Sequence, residues 1–138
     1  MTRYLLDTNI VSELRKNKPH VAVVAWFSAL RQEQIFVSAV TLGEMQAGIE
    51  VVRMQDTVKA GEIESWVDQM QATMQILPMD AACFREWGRI MRGKSDYLIE
   101  DAMIAATARV HQLTVATRNE RDFAQLRVAV RNPFKSLR

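Results

Sequence analysis

Five short runs in this chain are almost wholly apolar: Tyr4 to Leu6, Ile35 to Val40, Ile76 to Met79, Thr114 to Ala116 and Val128 to Val130. None shows the polar/apolar alternation of a strand with one wet face, so each reads as a strand covered on both sides. The stretches between them carry helical spacing. A helix is expected from about Thr8. Val23, Trp26, Phe27 and Leu30 define a second behind Pro19, a residue tolerated at a helix start. Thr41-Leu42-Gly43-Glu44 has the form of a capping box opening a third. Asp56 to Met74 carries Lys59, Ile63, Trp66, Val67, Met70 and Met74 on one stripe, suited to a core or to a dimer interface. Asp80 can cap a helix bearing Phe84, Trp87 and Met91, and Gly93 to Asp96 breaks that pattern. Asp101 to Val110 is small or apolar nearly all round, as in a helix buried on most sides. Buried strands alternating with helices predict a three-layer α/β/α sandwich, its mostly parallel sheet having about five strands, in a single domain over residues 1–138.

The 138 residues can bury one hydrophobic core, and 49% of them are apolar, which excludes a disordered chain. Cys83 is the only cysteine, so no intrachain disulfide is possible. With no signal-like opening, that predicts a reducing, cytoplasmic home. Charges interrupt every apolar run well short of the ~20 residues a bilayer requires, and no membrane association is expected. The formal net charge of +2 excludes a polycation that holds nucleic acid by charge alone. Two local clusters stand out. Arg15, Lys16 and Lys18 form one; Arg118, Arg121, Arg127, Arg131, Lys135 and Arg138 form the other, against Glu120 and Asp122. Either serves as a solvated surface or as a contact for phosphates.

Ligands of parallel sheets bind beyond the carboxyl ends of the strands. Four places put acids there: Asp7 after the first strand, Glu44 after the second, Asp101 opening the buried helix, and the Asn119 to Asp122 turn after the Thr114 strand. Each has a plain structural alternative. Asp7 can be an N-cap, Glu44 the third residue of a capping box, Asp101 a first-turn acid favoured by the helix dipole, and Asn119 and Asp122 turn residues. Their shared sheet edge gives them a joint meaning. Carboxylates about 4 Å apart repel by roughly 4 kcal/mol at an effective dielectric near 20, so a cluster calls for raised pKa values or a cation. His20, His111 and Cys83 fall elsewhere in the pattern. An oxygen-only set favours Mg²⁺ or Mn²⁺ over Zn²⁺ and suits phosphodiester hydrolysis by metal-activated water.

The residues at these places resemble the PIN-domain family. Leu5-Leu6-Asp7-Thr8-Asn9-Ile10 with Ser12 is similar to its first motif, Glu44 within Thr41-Leu42-Gly43-Glu44-Met45 to its second, and Asp101-Ala102-Met103-Ile104-Ala105-Ala106-Thr107-Ala108 to its third. Thr117-Arg118-Asn119 followed by Arg121-Asp122-Phe123 resembles the fourth. The likeness runs from Tyr4 to Phe134 and looks closest to the VapC toxins and the FitB-like branch, which Asn132-Pro133-Phe134 also fits. The resemblance implies a Mg²⁺-dependent endoribonuclease, the toxin of a toxin–antitoxin pair, acting on structured RNA such as tRNA. It implies a homodimer held inactive by a small DNA-binding antitoxin, with higher hetero-oligomers open to it.

On this reading Asp7 and Asp101 ligate the metal, and Glu44 contributes directly or through water and orients or deprotonates the nucleophile. Thr8, Asn9, Thr117 and Asn119 hold the carboxylates in place. Arg15, Lys16, Arg118 and Arg121 are the candidate RNA contacts. The chain departs from some members at Asn119, where they carry an acid directly after Thr-Arg; the nearest carboxylate is Asp122. That departure keeps open a PIN-fold regulator with little catalysis of its own, acting through its antitoxin. A receiver-like phosphoacceptor domain fits the length but expects paired acids after the first strand, where this chain has Thr8 and Asn9.

Overall fold

Leu5 and Leu6 show how the chain is built: adjacent on one strand, both fully buried, they enter two different cores. The computed structural model describes residues 1–135. Its strands are β1 (Tyr4–Leu6), β2 (Ile35–Ser38), β3 (Gln75–Leu77), β4 (Thr114–Ala116) and β5 (Val130–Arg131). They form one sheet in the order β3-β2-β1-β4-β5, every pairing parallel. The helices are α1 (Thr8–Arg15), α2 (Val21–Ser28), α3 (Ala39–Arg53), α4 (Thr57–Thr73), α5 (Ala81–Ile90), α6 (Ile99–His111) and α7 (Glu120–Ala124), with short 3₁₀ turns at Gln32–Gln34 and Asp96–Leu98. This is the expected three-layer α/β/α sandwich.

Side-chain alternation along the strands divides the core. Leu5, Val115 and Phe36 face α5, α6 and α7, where Ala102, Ala105, Ile104 and Phe123 are buried. Leu6, Val37 and Ala116 face the other layer, which includes Ile10, Val23, Met45, Ile49 and Val67. The small residues of α6 let it lie close to both the sheet and α5. The stripe on α4 turns inward: Val67 and Met70 are buried, Ile63, Trp66 and Met74 half-buried, and only Lys59 is exposed. Its buried members belong to the core.

Several boundaries differ from expectation. α3 starts at Ala39, not Thr41, because the Ser38 side chain accepts from Val40 N at 3.0 Å and caps the helix three residues earlier. Thr41 to Glu44 is therefore not a capping box; Thr41 is buried inside the helix, and the Glu44 side chain is left for other work. β3 begins at Gln75 and ends at Leu77, since Pro78 has no N–H to continue a ladder. β5 begins only at Val130, after Arg127 turns the chain with φ 55°. The turn expected at Asn119 to Asp122 is the start of α7. α6 starts at Ile99, so Asp101 lies in its first turn rather than opening it.

Candidate active site

The parallel register sets Leu6 beside Ala116, so the residues after them, Asp7 and Thr117, emerge together at the carboxyl edge. Asp7 is 5% exposed. Its Oδ1 accepts from Thr8 N at 2.8 Å, capping α1, and its Oδ2 accepts from Asn9 Nδ2 at 3.1 Å and from the Thr117 hydroxyl at 2.8 Å. Asn9 Oδ1 in turn accepts from Arg118 N at 3.2 Å, tying α1 to the segment after β4. Because α3 begins early, Glu44 reaches across to α1, where its Oε1 accepts from the Thr8 hydroxyl at 2.6 Å; that hydroxyl also lies 3.0 Å from Thr41 Oγ1. Asp101 is half-buried in the first turn of α6. Asn119 Nδ2 donates to Asp101 Oδ2 at 3.2 Å and to Asp122 Oδ2 at 2.9 Å, so the amide stands between two carboxylates.

Asp7, Glu44 and Asp101 line one pocket of about 460 Å³, with Thr8, Asn9, Ser12, Glu13, Lys16, Arg118, Asn119 and Phe134. None of the ion pairs among the described residues involves Asp7, Glu44, Asp101 or Asp122. The crowding shows instead as raised carboxyl pKa values. Burial, followed by the charges of Asp7, Asp122, Glu44 and Glu100, pushes Asp101 up to about 7. Burial also raises Asp7, with Glu44 adding to it against the hydrogen bonds from Thr117 and Thr8. Glu13 in the same pocket behaves oppositely: Lys16 Nζ at 2.8 Å and His20 N at 2.9 Å hold its carboxyl below the usual range. The negative charge left over belongs to the other acids.

This fold agrees with comparison to known proteins. The PIN domain family profile matches residues 4–129. The chain belongs to the PIN domain family. It is 34% identical to toxin FitB of Neisseria gonorrhoeae over 94% of this chain and 97% of that one. It is also 34% identical to a tRNA(fMet)-specific endonuclease VapC of Shigella flexneri, over 91% and 93% of the two chains. Among solved structures, FitAB bound to an IR36 DNA fragment superposes with a TM-score of 0.85 at 32% identity, covering 98% of each chain.

In this PIN domain the sequence-derived candidates divide into three groups. Asp7, Glu44, Asp101, Thr8, Asn9 and Asn119 line the acidic pocket; Thr117 lies buried beneath Asp7; and Asp122 stands behind Asn119, outside the lining. Of the basic candidates, Lys16 and Arg118 are at the rim, Arg118 stacking over Phe134 at 4.5 Å, while Arg15 faces a neighbouring groove and Arg121 is exposed away from the pocket. Arg138 lies outside the described residues. Glu13 was missed, although its signal was available: it follows Asn9 by four residues on α1 and so shares its helix face.

The donor chemistry of this PIN domain fits a hard divalent cation, with surplus carboxylate oxygen and no nitrogen or sulfur ligand in the lining. Among the described residues no three His, Cys, Asp or Glu side chains are drawn together tightly enough to grip an ion. Mg²⁺ keeps several waters and so does not need three carboxylates in direct contact. Asn119 presents its N–H groups, not its carbonyl oxygen, to Asp101 and Asp122, as the two facing acceptors require. Among the described residues no helix is long and apolar enough to cross a membrane.

Proposed function

We propose that this chain is a Mg²⁺-dependent endoribonuclease, the toxin of a toxin–antitoxin pair, cutting structured RNA such as tRNA. The observation that carries this reading is the uncompensated acidic pocket, with Asp101 pushed to about 7 beside Asp7 and Glu44. The toxin and tRNA-endonuclease names of its relatives support the activity and the substrate class. The DNA-bound FitAB structure supports a DNA-binding complex, in which the partner proposed here is a small antitoxin and the working assembly a homodimer.

Asp7 and Asp101 would hold the ion. Two donors occupy Asp7 Oδ2, so the ligating lone pair is on Oδ1; on Asp101 it is Oδ1 that carries no hydrogen bond among the described residues. A bound Mg²⁺ or Mn²⁺ would supply Lewis-acid activation of water and charge balance at the leaving oxygen. Glu44 is anchored through Oε1 by Thr8, leaving Oε2 free to accept a proton in the pocket. Thr117 and Asn9 orient Asp7, and Asn119 keeps Asp101 and Asp122 apart. Lys16 and Arg118 stand where RNA phosphates approach the pocket.

The test is cleavage of a total tRNA pool by antitoxin-free protein with Mg²⁺, with Mn²⁺ and with EDTA, alongside Asp7→Asn and Asp101→Asn. Discrete fragments lost with EDTA and in both variants are expected. A second reading, a regulator with little catalysis, draws on the uncharged Asn119 amide where some members carry an acid. Intact RNA in every lane, with antitoxin still bound, would favour it.

A further inference from the structure

The described chain carries a second polar pocket that shares no lining residue with the acidic one. It is about 240 Å³ and lies between the end of α5, the turn after it, the last part of α6 and the loop from α7 to β5. Five cations line it: Arg89, Arg92, Lys94, Arg109 and Arg127. Only one carboxylate answers them. Glu86 pairs with Arg89 Nη1 at 3.0 Å and with Arg109 Nε at 2.8 Å, whereas Arg92, Lys94 and Arg127 have no carboxylate partner among the described residues.

Two of these cations have an ordinary structural role. Arg89 and Arg109 sit in the last turns of α5 and α6, where positive charge complements the helix dipole and pairs with Glu86. The other three lie beyond the helices, and the backbone holds them there. Gly93, with φ 75°, makes the tight turn that sets Arg92 and Lys94 on either side of it. Arg127 takes a left-handed conformation, φ 55°, that few non-glycine residues adopt, and its carbonyl accepts from Arg109 Nη1 at 3.0 Å. Two unusual turns thus converge to crowd like charges, a state that a bound anion relieves.

The chemistry of the pocket selects the anion. Arginine forks match phosphate oxygens, and the volume is below the range of pockets that enclose whole organic ligands. No aromatic ring lines it to stack a base, and its only apolar members are Ile90 and Leu126. Such a site holds a backbone and reads no sequence. Arg109 follows Asp101 by eight residues on α6, about 12 Å along the helix axis, so an RNA engaged at the acidic pocket has a further stretch of backbone within reach.

We propose that the Arg92, Lys94 and Arg127 pocket is a second phosphate site that grips the substrate RNA away from the bond that is cut; this rests on the ribonuclease reading. The test measures binding of a fluorescein-labelled tRNA pool in EDTA, where no cleavage occurs, across a salt series. Wild type is compared with Arg92→Gln/Lys94→Gln and with the charge-keeping Arg92→Lys/Lys94→Arg, and thermal melting confirms that each folds. The neutral pair should weaken binding about five- to twentyfold and reduce the salt slope by about one to two, while the charge-keeping pair stays near wild type. Duplex DNA and inorganic phosphate serve as competitors. Unchanged affinity and slope in the neutral pair, while wild type binds and cleaves tRNA, overturn the pocket assignment alone. Loss confined to duplex DNA overturns it in favour of a DNA contact. Wild type that neither binds nor cleaves tRNA overturns both readings together.

Discussion

Removing the Asp101 charge should stabilise the metal-free protein, and the gain should grow with pH. In the folded chain Asp101 is held up to about 7 from an ordinary value of 3.8. Between those values the folded state keeps a proton that the unfolded state has released. Its contribution is therefore fully present below about pH 4 and is lost as pH rises through about 7. The displacement corresponds to at most about 4 kcal/mol well above pH 7, and solvent screening at a half-buried side chain reduces that to on the order of 2 kcal/mol. Asp101→Asn has nearly the same shape, can still accept from Asn119, and does not titrate. In urea melts followed by tryptophan fluorescence in EDTA, it should match wild type only near pH 4, exceed it by somewhat under 1 kcal/mol near pH 5 and by about 2 kcal/mol near pH 8, roughly 6 °C in Tm. Saturating Mg²⁺ should narrow the gap by stabilising wild type more than the variant. A variant less stable than wild type near pH 8, or a difference that does not change with pH, would refute the reasoning.

Further outcomes are expected. Asn119→Asp places a further carboxylate between Asp101 and Asp122; in EDTA it should lower stability by about 1 kcal/mol while tightening Mn²⁺ binding, read by calorimetric titration. Thr117→Val removes the 2.8 Å hydrogen bond to Asp7, and metal affinity should fall about tenfold or more with little change in fold, read by titration and circular dichroism. Ser38→Ala removes the cap that starts α3 and should cost about 1 kcal/mol in urea melts. Phe123→Ala empties a fully buried site beneath α6 and should cost about 3–5 kcal/mol without changing the metal requirement of any cleavage.

The layered fold was legible because most strands sit in short, largely apolar runs and the longer helices carry apolar stripes at a spacing near 3.6 residues. Asp7 was legible too, since a strand end facing a helix start leaves little choice of position. Boundaries were harder to read. Ser38 and Thr41 are both competent caps in sequence, and only the length of the β2 ladder, which stops at Ser38 opposite Leu77, decides between them. That choice turns Glu44 from a backbone partner into a pocket residue hydrogen-bonded to Thr8.

By itself, then, the sequence determined the layers, the edge on which the acids collect and the absence of nitrogen or sulfur ligands among them, because local pattern and residue chemistry are properties of the chain. The tertiary structure alone decided which acids keep a surplus charge. Glu13 is paired with Lys16 and accepts from the His20 backbone N–H, Asp122 is set behind the Asn119 amide, and Asp101 is left half-buried among like charges. It also decided that five cations from three separate segments share one pocket beside Glu86. Electrostatic energy depends on distance and burial, and neither quantity exists until the chain is folded.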